Sequence, residues 1–128
     1  MPKYFLKTRE DDEQKALIAW WEFACRRYGL EPFDLLHVPN ERKGGVTTQA
    51  HFAALGVRHG CPDLMLTVPT LEAPGLFIEL KVKGGSLSKN QKPFCERLAQ
   101  RGYTVRTCYG WTAARDTITE YLAPLLQR

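Results

Sequence analysis

Leu76-Phe77-Ile78-Glu79-Leu80-Lys81-Val82 reads as a β-strand. Leu76, Ile78, Leu80 and Val82 recur at every second position, and because a strand sends residues two apart to the same face, they make one face apolar throughout. Glu79 and Lys81 share the other face, where the charged pair would look into a cleft. Upstream, Asp63-Leu64-Met65-Leu66-Thr67-Val68 has the same period, with Leu64, Leu66 and Val68 on one side and Asp63 at the entrance on the other. The Pro- and Gly-bearing stretch 69–75 between them has the length to fold the two strands back on each other as an antiparallel pair. That pairing would bring Asp63 close to Glu79.

Two carboxylates side by side, with no His or Cys at metal-ligand spacing, suit Mg²⁺ or Mn²⁺, which take carboxylate, water and phosphate oxygens in octahedral geometry. Such an ion polarises a phosphodiester and lowers the pKa of a bound water. Lys81 would position or help deprotonate the attacking water, or neutralise charge developing on a phosphorane-like transition state. A Glu-x-Lys triplet or a Pro-Asp pair alone is expected by chance in a chain of this size. Order, strand placement and the intervening turn give the combination its weight. The competing reading is a surface hairpin with a cross-strand salt bridge.

The N-terminal segment supplies a third carboxylate. Asp11 or Asp12 is expected to cap a helix over residues 12–28, closed by Gly29. Leu17, Trp20, Trp21, Ala24 and Tyr28 fall at helical spacing and define its inward face, and Glu13 stands one turn before Leu17 on that face. An acid there is costly unless paired or ion-bound, although the first turn is where the helix dipole tolerates it best. A cap and a site ligand are both open readings of Glu13.

The rest of the chain completes an α/β pattern. Residues 33–38 read as a strand, 47–55 as a short helix ended by Gly56, and 88–101 as a helix whose Ser88 and Gln91 are spaced as a capping box. Residues 103–109 read as a strand, and 112–122 as a final helix before Pro124. A helix crossing between the strands at 76 and 103 implies a mixed central sheet flanked by helices. No repeat, low-complexity tract or linker divides the chain, so residues 1–128 are expected to form a single stand-alone domain with a sizeable core.

Glu13-Gln14 opening a helix, Pro39-Asn40-Glu41 after a short strand, Gly56-Val57-Arg58-His59-Gly60-Cys61-Pro62-Asp63, Glu79-Leu80-Lys81 and Ser88-Lys89-Asn90-Gln91 together resemble the virus-type replication-repair nuclease domain, VRR-NUC, of the PD-(D/E)XK nuclease superfamily. The resemblance runs from Glu13 to about Tyr121 and implies a restriction-endonuclease-like core. Carried over by position, it makes Glu13, Asp63 and Glu79 the metal-binding acids, with Glu10, Asp11 and Asp12 close enough to Glu13 to shift that register. The Leu80 carbonyl becomes a further ligand, Lys81 the catalytic lysine, and Gln91 the polar residue that completes the site. It further implies Mg²⁺- or Mn²⁺-dependent cleavage of branched DNA in repair or recombination. Small stand-alone members, phage or bacterial, are similar to Holliday junction resolvases that act as homodimers. A flap- or restriction-type nuclease of the same superfamily would share every one of these residues, and a non-catalytic DNA-binding domain of the fold is the remaining alternative.

Composition is compatible with that expectation. The chain has 18 Lys and Arg against 14 Asp and Glu, a net charge of +4, and three of those acids would be neutralised by metal. Candidate phosphate contacts are Arg42 and Lys43 in a Gly-containing loop, Arg58 beside the site, and Lys83, Lys89 and Lys92 beyond the catalytic strand. Gly84-Gly85 would let the backbone approach phosphate closely. His59 reads as a phosphate contact or a plain surface residue. Cys25, Cys61, Cys95 and Cys108 form no Cys-x-x-Cys pair, which argues against a zinc ribbon and for a reduced, cytoplasmic protein. Cys61, with no adjacent base, reads as a small buried residue and not a nucleophile. Between Ala16 and Cys25 only Glu22 is charged. One core covers one side of such a helix, and the other side is expected to meet a second copy of the chain, unless residues 4–6 and the last helix wrap it.

Overall fold

The structure is a computed structural model and describes residues 3–39 and 45–126, with side chains from residue 9 onward. Helix α1 spans Lys3–Ala24 and tightens into a 3₁₀ turn, Cys25–Tyr28, which ends at Gly29 with φ 70°. The C-terminal stop thus falls where glycine was expected. The start does not: no Gly or Pro interrupts residues 3–24 and most of them are good helix formers, so the helix runs through Asp11 and Asp12. Neither caps it, and Glu13 lies in the helix interior and not in a first turn.

Four strands follow, with helices between them: β1 Leu35–His37, helix α2 Val46–Ala54, β2 Leu64–Leu66, β3 Leu76–Lys81, helix α3 Gln91–Gln100, β4 Thr104–Tyr109 and helix α4 Trp111–Leu122. The sheet order is β1-β2-β3-β4. β1 and β3 each run antiparallel to β2, and β4 runs parallel to β3 after the α3 crossover. This is the mixed sheet flanked by helices that the sequence implied. Strands β1 and β2 are shorter than expected, and α3 begins at Gln91, three residues after its capping serine.

Leu64, Leu66, Leu76, Ile78 and Leu80 are fully buried on one sheet face with Leu17, Trp21 and Cys25 of α1 and Ala114, Ile118 and Leu122 of α4. Cys25, outside the inward face read from the sequence, belongs to this core. Phe77 and Glu79 point to the other face, where Phe77 meets Tyr103 edge-to-face at 5.2 Å. Helix α3 lies on that side, so β3 is covered on both faces except at Lys81. Glu79 does not look into an open cleft; it is 2% exposed. Helix α2, despite its apolar sequence, buries none of its residues.

Candidate active site

The β2–β3 register pairs Leu64 with Ile78. One step further sets Asp63 opposite Glu79, and directly opposed residues share a face. Asp63 Oδ2 accepts the Leu80 N–H at 2.9 Å, which anchors the aspartate at the end of the pair. A strand residue sends its N–H and C=O to the same edge, so the Leu80 carbonyl turns toward Asp63 too. Glu79 Oε2 accepts Gln91 Nε2 at 2.6 Å and forms an ion pair with Lys81 Nζ at 3.2 Å. Its other oxygen, Oε1, is buried with no donor among the described residues.

A buried carboxylate oxygen without a donor costs about 1–3 kcal/mol or more unless something compensates it. Burial first, and the charge of Asp63 second, push the Glu79 carboxyl up to about 7, against the pull of Lys81. Burial also raises Asp63, partly offset by the Leu80 N–H and Lys81. The two carboxylates therefore call for a proton or a cation between them. With no metal, the folded state holds a proton on Glu79 that the unfolded chain, near its ordinary 4.5, releases. Stability then falls as pH rises through that window. In EDTA the midpoint of thermal unfolding is expected to drop by about 5 °C or more between pH 5 and 8. Glu79→Gln should flatten the slope, and a midpoint that rises with pH would contradict this picture.

Gln91 sits where it does for two reasons. It closes the expected capping box, with Ser88 N–H donating to Oε1 at 2.8 Å and Gln91 N–H donating to Ser88 Oγ at 3.2 Å. Its side chain is thus both cap partner and clamp on Glu79. The start of α3 is in turn set by the loop before Asp63. Gly60, at φ 94°, lies so close to Asn90 that a Cβ there would stand 2.6 Å from the Asn90 carbonyl carbon. Gly60→Ala adds a left-handed backbone penalty to that clash, and a loss of about 2–3 kcal/mol is expected in denaturant unfolding.

The acids of α1 divide. Glu13 Oε2 accepts the Trp111 N–H at 3.1 Å and so caps α4, whose start follows Gly110 at φ 89°. This partner, far away in sequence, was not legible from the chain. Glu10 lies one turn earlier, and its Oε1 is 4.0 Å from Lys81 Nζ. Among the described residues no group of three or more His, Cys, Asp or Glu side chains converges on one point, so the structure brings together Asp63 and Glu79 and leaves Glu13 outside that pair.

Arg58, Lys83, Lys89 and Lys92 are all exposed, and none has an ion-pair partner among the described residues. Arg42, Lys43 and the Asn40-Glu41 part of the motif lie outside the described residues. Cys61 is half-buried, and its thiol is pushed up to about 11 by burial and then by Cys95, Glu79 and Asp63, which disfavours a thiolate nucleophile. No helix among the described residues is long and apolar enough to cross a membrane.

Comparison with known proteins bears on the fold and the family. A known structure described as a VRR_NUC domain protein superposes with a TM-score of 0.76 at 26% identity, covering 89% of this chain and 88% of that one. No curated protein matches the chain. The VRR-NUC domain family model matches residues 8–111. The fold is of the nuclease type, α/β and restriction-endonuclease-like. The chain belongs to the VRR-NUC domain family.

Proposed function

We propose that the chain is a divalent-metal-dependent DNA endonuclease acting on branched DNA as a homodimer. The observation that carries the metal is the buried Oε1 of Glu79, donorless among the described residues, on a carboxylate that interacts directly with that of Asp63. Asp63, Glu79 and the Leu80 carbonyl would hold Mg²⁺ or Mn²⁺, a set of hard oxygens suited to either ion. Glu13, held by Trp111, would reach such an ion only through a water. Bound there, the ion would polarise the scissile phosphate and acidify a water.

The remaining steps belong to the chain. Gln91 Nε2 holds Glu79 Oε2 and so fixes the orientation of the carboxylate, leaving Oε1 without a protein donor among the described residues. Lys81 Nζ, 14% exposed and on the same carboxylate, is placed to donate to the attacking water or to a non-bridging phosphate oxygen as charge develops. Arg58, Lys83, Lys89 and Lys92, near Asp63, Lys81 and Gln91 in sequence, would hold the flanking phosphates.

Two apolar surfaces support the dimer. On the outer side of α1, Phe23 is 77% exposed, and Phe33 is 75% exposed beside Pro32, whose carbonyl accepts Trp21 Nε1. Helix α2 is a second uncovered apolar element. A second copy would set two sites against the two strands of a four-way junction. The test is cleavage of a labelled junction beside matched flap and linear duplexes, with sedimentation at micromolar concentration. Paired symmetric cuts by a dimer support the reading. Cuts confined to flaps or linear DNA, or a monomer, would remove the junction-resolving part.

A further inference from the structure

We propose that a cleft along α3 seats unpaired nucleotides of the DNA strand that passes the active site. The inference rests on the DNA-cleaving reading and adds to it a strand-binding subsite. The cleft has a volume of about 470 Å³ and is lined by His59, Pro93, Phe94, Arg97, Leu98 and Arg101. Asn90 also lines it, next to Gln91, whose side chain holds Glu79. His59 is placed there by the Gly60 backbone pressed on Asn90. The cleft and the catalytic carboxylates therefore share one rigid junction of loop and helix.

Its lining has the chemistry of a single strand. Asn90, Phe94, Arg97 and Arg101 recur at spacings of three and four and form one stripe along α3. Arg97 and Arg101 are about 6 Å apart along the helix axis. Neither has a carboxylate partner among the described residues; Arg97 donates only to Gln100 Oε1, at 3.5 Å. Beside the cations the lining includes Pro93, Phe94 and Leu98, an apolar floor. Duplex phosphates would use the arginines and leave that floor wet, because paired bases are stacked inside. An unpaired base covers it, with the Phe94 ring as the stacking surface, while its phosphates meet the guanidinium groups. Branch points of DNA are where such nucleotides occur.

Binding in EDTA, read by fluorescence anisotropy, tests this apart from cleavage. The probes are a labelled oligothymidine of about 12 nucleotides, within the usual span of one strand-binding site, and a duplex of equal length. Phe94→Leu keeps apolar volume in the fold and removes the ring; it is expected to weaken oligothymidine binding about tenfold and duplex binding less than about twofold. The Arg97→Gln, Arg101→Gln double variant should lower the slope of log affinity against log salt for the oligothymidine by about 1.4, two phosphate contacts on a single strand. Equal losses on both DNAs, or none, with unfolding midpoints unchanged, would overturn the subsite. If the protein cleaves DNA in Mg²⁺ but these losses are missing, only the subsite falls. If nothing is cleaved while the strand-selective losses appear, the nuclease reading falls and the subsite stands.

Discussion

Lys81→Ala is expected to lower DNA strand cleavage by about 10²–10⁴-fold, the range for removing a group that moves a proton or stabilises developing charge. Binding should survive. Lys81 Nζ is 3.2 Å from Glu79 Oε2, yet Gln91 Nε2 keeps its own hold on that oxygen, so the carboxylate stays in place when the lysine goes. Loss of the cation also removes one of the forces that keep Glu79 ionised, and its carboxyl should titrate higher still. Metal affinity near neutral pH would then fall modestly, and raising the pH should restore it. Restoration of metal binding without restoration of cleavage is the signature of a catalytic lysine. Cleavage by Lys81→Ala at the normal rate would show the assignment to be wrong.

Asp63→Asn should act in opposite directions on activity and stability. Cleavage is expected to fall by at least about 10³-fold, since a charged ligand is replaced by a neutral one where several kcal/mol of charge stabilisation are required. The metal-free fold should gain stability near pH 8, by about 1–3 kcal/mol. The amide oxygen can still accept the Leu80 N–H, and the amide nitrogen adds a donor beside the Glu79 carboxylate, which has one oxygen without a donor among the described residues. It also removes the charge that is the second cause of the raised Glu79 carboxyl. Denaturant unfolding in EDTA, beside cleavage in Mg²⁺, reads both effects. A variant both inactive and less stable would mean that Asp63 serves the fold first. This is the trade seen when a site is built for a ligand: the apo protein carries strain that the ligand relieves.

The residues that could be read ahead of the structure are those with local rules. The period of two at 64–68 and 76–82, with a turn between, gave the antiparallel pair and the Asp63–Glu79 juxtaposition. Ser88 and Gln91 gave a capping box that is present, and Gly29 gave the stop of the first helix. Misreadings arose where a local signal lost to its context. Asp11 and Asp12 look like caps, but the residues before them are equally helical and the helix continues through. Glu79 and Lys81 looked like a pair facing an open cleft, but α3 folds over that face and buries Glu79, a contact that no periodicity within β3 encodes. Glu13 was left between cap and ligand because its partner, Trp111 N–H, is brought to it only by the packing of α1 on α4. Gly60 gave no sign in sequence that it touches Asn90. Arg97 and Arg101 carry no signal in the sequence that singles them out; the fold sets them beside His59 around a cleft.

Cleavage of a labelled DNA junction by this chain in Mg²⁺ and in EDTA, beside its Glu79→Ala variant, tests the central claim most directly. Strand scission in Mg²⁺ that disappears in EDTA and in the variant is the predicted result, because on the proposed reading the ion and the orphaned carboxylate would be two halves of one site. Scission that continues in EDTA, or that the Glu79→Ala protein performs at the normal rate, would contradict a metal-dependent active site at Asp63, Glu79 and Lys81.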